Sequence, residues 1–549
     1  MHRFHLKPQN MHQDSFSILS VAAERMLALR GLSLSAEDDA YTVTLTVDAA
    51  LENDRYVISP AENGADLRAA NDCALHAAFG RFLRECRFDG RGGFTPIPLG
   101  KTIDFTPKKP IRGMYFATHF MNFYHAAPLP KVYEVIEDLA LRGCNNLLVW
   151  FDMHHFSSME DPAAVALVER LHAILRYANR IGMGGSLTML GNEAFADSPE
   201  HLRAEWAVQN GYFHEPEAHY HLELCPSKTG GIEAILCARR AMLEHFRDLK
   251  IDYVIYWPYD QGGCTCRDCA PWGANGFLKL LKPFKALIHE MLPSAEVVVS
   301  TWYFDRFVDG EWDGLYRALT SGEAEGISSL LAFFERGNIP KCIEENGLPQ
   351  NLRLLSFPEI SMHGCAPWGA YGASHLAAFL QGVHEESDDL YSGSFPYSEG
   401  IFEDANKFIR LMLDAGEYSN AFDALRAYVR HEFCCDDDAL YEAILRTETA
   451  LERTRDKTGE FIRVHIADPS DVSFVYETLD RYRAHLPERI AASTKFRLYY
   501  LRALIDREIA ENDGYAIRSA DCQDAMKEIC QLYFVTGETH RWVKPPVGL

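Results

Sequence analysis

Tyr253-Val254-Ile255-Tyr256-Trp257-Pro258-Tyr259-Asp260-Gln261-Gly262-Gly263-Cys264-Thr265-Cys266-Arg267-Asp268-Cys269-Ala270-Pro271-Trp272-Gly273 passes abruptly from an aromatic and β-branched run to a carboxylate and a glycine pair. Such a run suits a strand covered on both faces, as in the parallel sheets of α/β proteins. The carboxyl end of the strand is where that architecture places its chemistry. Asp260 therefore has a structural address as well as a charge.

The surrounding pattern repeats this unit. Short apolar runs alternate with amphipathic stretches, and eight candidate strands follow: Arg112 to Ala117, Asn146 to Phe151, Gly185 to Leu190, Tyr253 to Trp257, Glu296 to Trp302, Ser328 to Phe333, Arg353 to Phe357 and Tyr391 to Phe395. The expectation is α/β, a (β/α)8 TIM barrel, with an open doubly wound sheet as the alternative. Before it, alternation over Tyr41 to Val47 and Arg55 to Ile58 and a helical run from Ala69 to Glu85 predict a small N-terminal α+β domain. After about Asn406 the apolar spacing turns helical, including Leu440 to Thr454, and predicts an all-α C-terminal region. The expected domains are 1–108, 109–405 and 406–549, the first boundary falling in the proline- and lysine-bearing segment Lys101 to Pro110.

The chain has 549 residues, 47% hydrophobic and 24% charged, which is ordinary globular usage. Fifty-four basic against 78 acidic residues give a formal net charge of −24, which repels nucleic acid and anionic lipid alike. No stretch has the apolar length of a membrane helix. The Met1 to Pro8 segment lacks an apolar leader, and the 14 cysteines are scattered, so the expected compartment is cytoplasmic. No phosphate loop, H-E-x-x-H pair or G-x-S-x-G elbow occurs.

The strand ends collect carboxylates: Asp152, Glu193, Asp260, Asp305, Glu359 and Glu399. Acid–base work on a glycosidic bond needs two, with pKa values pushed apart. Asp260, Glu359 and Glu399, flanked by prolines, aromatics or glycines, are the candidate catalytic residues. Asp305 and Glu193 read equally as solvated loop residues or partners to an arginine. Aromatics crowd the same ends, and Trp257, Tyr259, Trp302, Tyr303 and Tyr397 are candidate sugar platforms, with barrel-core packing as the competing reading for tryptophans. His119, Asp152, His154 and Gln261 complete the candidate binding set, and His155 reads either way. Cys-Ala-Pro-Trp-Gly-Ala occurs at 269–274 and again at 365–370, which predicts two similarly turned loops placing Trp272 and Trp368 over one pocket.

Cys264, Cys266 and Cys269 form C-x-C-x-x-C, which can hold zinc if a fourth ligand arrives; Cys225, His219 and His221 are possible donors. Only one half of a paired signature is present, so the expectation is a reduced, packed cluster and no cofactor.

The order of parts, the Arg112-Gly113-Met114 opening and the Trp257-Pro258-Tyr259-Asp260-Gln261-Gly262-Gly263 loop together resemble the β-hexosaminidases of glycoside hydrolase family 20 and the α-glucuronidases of family 67. The resemblance implies a hydrolase of O-glycosyl bonds with its site on the barrel rim. In the hexosaminidases an Asp-Glu pair ends strand four, the aspartate orienting the acetamido group and the glutamate acting as acid. The matching positions here are Asp260 and Gln261, and an amide cannot give up a proton as a carboxylic acid can. The expected ligand is a short oligosaccharide or glycoside, with no nucleic-acid or membrane partner and homo-oligomerisation left open. The rivals are a sugar-binding protein without turnover and a zinc-dependent hydrolase using the cysteine and histidine loop.

Overall fold

The computed structural model describes residues 3–37, 40–119, 121–217, 221–260, 262–334, 338–349, 352–361, 373, 375–455, 462–466, 468–512 and 518–534. Its centre is a closed parallel barrel of β1 (Ile111–Phe116), β2 (Asn146–Trp150), β3 (Gly184–Leu190), β4 (Ile251–Trp257), β5 (Glu296–Ser300), β6 (Ser329–Ala332), β7 (Arg353–Ser356) and β8 (Gly393–Ser394). Closure is made by Gly393 pairing with Ile111 and Ser394 with Arg112, and the chain pairs with β1 again at Tyr397 and Ser398. Glycines make the seam possible: a Cβ on Gly113 would lie 2.3 Å from the Phe395 ring.

Alternate residues of each strand point inward. Ile111 and Tyr115, Leu148 and Trp150, Ile255 and Trp257, Leu331, Leu355 and Tyr397 pack as one interior cluster. Their neighbours Leu147, Val149, Val254, Tyr256 and Val299 face the helices in a second cluster. Both faces of the sheet are thus buried, which is why the strands read as continuous apolar runs. β5 ends at Ser300, two residues before its expected end, because Tyr303 and Asp305 take left-handed backbone (φ 61 at both) and turn the chain.

The N-terminal sheet runs parallel from Ser33–Leu34 through Arg3–Gln9 and Tyr41–Val47 to Gly64–Ala69, then antiparallel through Tyr56–Ala61 to Ile103–Phe105. Helix Asp72–Glu85, capped by Asn71 accepting from the Ala74 amide at 2.9 Å, lies between this sheet and the barrel helix Leu129–Leu141. The approach is close at Gly80, where a Cβ would come 1.8 Å from the Leu141 carbonyl oxygen.

Beyond the barrel the helices Asp404–Ala415, Ala421–Phe433, Asp438–Arg446, Pro469–His485, Thr494–Glu511 and Ala520–Phe534 pack in succession. The helical pattern expected over Leu440 to Thr454 stops at Arg446, and Leu451–Arg455 pairs antiparallel with Ile462–Ile466, so this region is not wholly helical. The last helix among the described residues reaches back to the rim, where the Tyr533 hydroxyl donates to the Glu399 carbonyl oxygen at 2.8 Å. Among the described residues no helix is long and apolar enough to cross a membrane.

Candidate active site

The chain after β4 turns sharply, and Asp260 takes left-handed backbone (φ 69). Two neighbours fix the turn. The Trp272 indole donates to the Pro258 carbonyl at 2.8 Å, and Asn192, after β3, accepts from the Gly263 amide at 2.8 Å while donating to its carbonyl at 2.7 Å. Asp260 keeps some surface exposure, yet protein surrounds it. That desolvation pushes its carboxyl up to about 7, the Glu359 charge adds to the rise, and the Trp302 indole and Arg306 oppose it.

Glu359 follows β7 and is held by a parallel bridge to Tyr397. Burial raises its pKa as well. Glu399, after β8, is 9% exposed, and burial together with the charges of Glu403 and Glu359 pushes it up to about 8, against hydrogen bonds from Tyr397 and Asn122. The Tyr397 hydroxyl donates to Glu399 Oε1 at 3.2 Å and lies 3.2 Å from His119 Nε2. With the proton on Nε2 the chain runs from His119 through Tyr397 to Glu399, and burial holds His119 neutral, its pKa lowered to about 3.

β2 and β3 supply the opposite side. His154 Nδ1 lies 2.7 Å from Glu193 Oε1, and the His154 amide donates to the same oxygen at 3.2 Å. Glu193 is thereby committed to orienting His154. Burial and the Glu193 charge raise Asp152 far above the carboxylate range, with His155 Nε2 3.2 Å away. Asp152, His154 and His155 offer ligand atoms within 4.8 Å of one another, but two of the ring nitrogens already serve these carboxylates. Trp150 Nε1 and Asp152 Oδ1 are buried without a hydrogen-bond partner among the described residues.

On the β5 side, Trp302 stacks on Tyr303 at 4.6 Å, and Arg306 covers the outer face of Tyr303 at 4.4 Å. Both rings are half-buried and line a cavity of about 350 Å³ with Thr301, Arg306, Asn338 and Phe357. A larger cavity of about 600 Å³ lies between helices Gln13–Leu29, Leu129–Leu141 and Thr494–Glu511, and none of Asp260, Glu359 and Glu399 lines it. Its walls pair their own charges, Arg25 with Asp138 at 2.8 Å and Lys495 with Glu432 at 2.9 Å, so the rim is where unspent polar groups collect.

Several expected residues are placed otherwise. Tyr259 is turned out of the barrel mouth: it is 1% exposed, and its hydroxyl donates to Glu311 at 2.5 Å. Trp272 is fully buried beneath the loop rather than over a pocket. Trp257, 5% exposed, belongs to the interior stack, 4.9 Å from Phe357. Asp305 caps the helix Glu311–Ser321, accepting from the Glu311 amide at 2.7 Å. Gln261, His219, Trp368 and the 365–370 repeat lie outside the described residues. Tyr115, not singled out from sequence, forms the floor: it packs on Tyr397 (5.4 Å) and Phe357 (5.8 Å), and after burial the charges of Asp260, Asp152 and Glu193 raise its pKa. Its inward register in β1 was the available signal.

A carboxylate rim on a closed (β/α)8 barrel defines the class of site. The same fold occurs in glycoside hydrolases. A family 89 glycoside hydrolase from Clostridium perfringens, in complex with PUGNAc, aligns with TM-score 0.62 and 12% identity over 95% of this chain and 65% of its own. A family 20 exo-β-N-acetylglucosaminidase from Vibrio harveyi gives 0.53 and 11% over 78% and 74%. A family 20 β-N-acetylhexosaminidase from Streptomyces coelicolor gives 0.51 and 13% over 79% and 92%. The chain spans just under two thirds of the family 89 enzyme's length. No protein-family model matches the sequence, and no curated protein sequence matches it.

Proposed function

We propose that the chain hydrolyses the glycosidic bond of a short oligosaccharide or glycoside, with residues 109–405 carrying the chemistry. The observation that supports this reading most is the set of three carboxyl groups at the ends of β4, β7 and β8. All three are raised by burial, and Glu359 acts electrostatically on both Asp260 and Glu399. Carboxyl groups so coupled can hold a proton on one member while another carries charge, as glycoside hydrolysis requires.

In this reading Asp260, kept largely protonated up to about pH 7, gives its proton to the leaving oxygen. Glu359 carries the negative charge that meets the developing cationic sugar. Glu399, protonated up to about pH 8, orients a sugar hydroxyl together with His119 and Tyr397. Trp302 and Tyr303, half-buried and close enough to Asp260 to act on its charge or be acted on by it, offer an aromatic face to the ring. The buried Trp150 Nε1 and Asp152 Oδ1 are further positions for hydroxyl partners.

The test is a panel of aryl glycosides, beginning with N-acetylglucosaminides because a family 89 enzyme of this fold has been seen with its substrate GlcNAc-α-1,4-galactose. Release of the aryl alcohol is expected, and Asp260→Asn should cut kcat by at least about a hundredfold with KM little changed. Sugar binding without aryl release would favour a binding protein on this scaffold.

A further inference from the structure

Four reduced cysteines converge beside the rim. Cys264, Cys266 and Cys269 lie on the loop after β4, and Cys225 comes from the long excursion between β3 and β4. Each offers an Sγ within 4.8 Å of the other three, and Cys225 Sγ is 3.7 Å from those of both Cys266 and Cys269. Four thiolates about 2.3 Å from one tetrahedral zinc ion would stand roughly 3.8 Å apart along each edge. The two separations from Cys225 are of that size, and far beyond the roughly 2.05 Å of a disulfide bond. A multi-iron cluster would need its thiolates spread around a core of several atoms.

The surroundings suit sulfur that carries charge. The Glu205 amide is directed at Cys264 Sγ (3.5 Å), and Ser227 Oγ lies 3.1 Å from Cys269 Sγ. Lys279 in turn donates to Ser227 Oγ at 2.8 Å, bringing a positive charge behind that contact. Such partners orient and stabilise thiolate ligands. Cys225, Cys264 and Cys269 are buried and Cys266 half-buried, so the site is largely closed to solvent.

We infer that Cys225, Cys264, Cys266 and Cys269 bind a single zinc ion that fastens the β3–β4 excursion to the loop carrying Asp260. Thiols lose up to four protons as the ion enters, and the product is a zinc tetrathiolate. With four protein ligands no position is left for water or substrate, which makes the ion structural and removes the reading of this loop as a hydrolytic metal centre. The fastening has a direct line to the rim, because Asn192 and the Gly263 backbone already join the same two segments. Cys225, two loops away in sequence, is the ligand that C-x-C-x-x-C lacked. The inference stands apart from the glycosidase reading and needs no substrate.

The full chain, purified under reducing conditions from zinc-supplemented medium, should carry about one zinc per molecule by elemental analysis. Cys225→Ser and Cys266→Ser should each reduce that content to a trace. Because either variant could fold poorly, the unmodified chain loaded with Co²⁺ provides an independent readout, with the intense absorption of a tetrahedral tetrathiolate expected. Unmodified chain without zinc and with all four thiols freely reactive would overturn the site. So would a cobalt spectrum of higher coordination. Iron in place of zinc would overturn the assignment of the ion, and an unchanged Tm after removal of the metal would overturn its fastening role.

Discussion

The proton on Asp260 is contested by its neighbours: burial and Glu359 hold it on, while the Trp302 indole and Arg306 draw it off. If Asp260 is the acid, activity falls as pH rises through about 7 and that proton is lost. Arg306 favours the ionised form, so Arg306→Gln should move the alkaline limb of kcat/KM upward. The shift should stay below one pH unit, since Arg306 is exposed and such pairs contribute about 0.2–1 kcal/mol against 1.36 kcal/mol per unit. A limb that stays put or moves down would take the acid role from Asp260. Glu399 offers a second readout. Its pKa rises from 4.5 in an unstructured chain to about 8 here, so between these values the native state holds a proton that the unfolded chain has released. Stability from this group therefore declines as pH rises through that window, and Glu399→Gln, which cannot ionise, escapes the decline. The variant's Tm should gain on the unmodified protein progressively from pH 5 to 8, while turnover drops far less than in Asp260→Asn. At this scale the rim carboxylates were legible because each follows an apolar run that ends abruptly. Tyr115 was not, because it hides inside such a run; Cys225 stood only as one of three possible fourth donors to the cysteine loop, and three-dimensional neighbours single it out.

Elements were legible where both faces of a strand are buried, and less so where a turn is decided by backbone conformation. The β5 end shows this: Trp302 extends the apolar pattern of Glu296 to Ser300, but left-handed backbone at Tyr303 and Asp305 lifts it out of the strand. Two tryptophans that looked alike in sequence thereby part company. Trp257 is an inward residue of β4, wedged against Phe357, whereas Trp302 is half-buried and lines the rim cavity. Trp257→Ala should destabilise the fold by about 3–5 kcal/mol, measured by denaturant unfolding. Trp302→Ala should change stability little and raise KM several-fold, in line with the roughly 0.5–1.5 kcal/mol of an aromatic contact. Equal losses of stability in the two variants would return Trp302 to the core.

Across the whole molecule the helices after the barrel are joined to it by buried charges drawn from distant parts of the sequence, which no local pattern announces. Arg142, at the end of barrel helix Leu129–Leu141, donates to both Asp404 oxygens at 2.8 and 2.9 Å and to Glu432 at 2.9 Å. Lys495 bridges Glu432 and Asp138 at 2.9 Å each, and Arg25 of the N-terminal region reaches Asp138 at 2.8 Å. Burial alone would raise Asp404, but Arg142 and Lys495 outweigh it and hold the carboxyl well below its ordinary range. A depressed pKa contributes stability above the unfolded value of 3.8, and that contribution is lost as pH falls through the folded one. Arg142→Met keeps much of the side-chain volume and leaves Asp404 and Glu432 sharing Lys495. It should cost about 3–5 kcal/mol in denaturant unfolding at pH 7, the range for stranding buried partners of an ion pair. It should also flatten the loss of stability on acidification below pH 4, since Asp404 then lies closer to its unfolded pKa. A cost under about 1 kcal/mol, at the level of exposed ion pairs, would mean that apolar packing rather than this network holds the helices to the barrel.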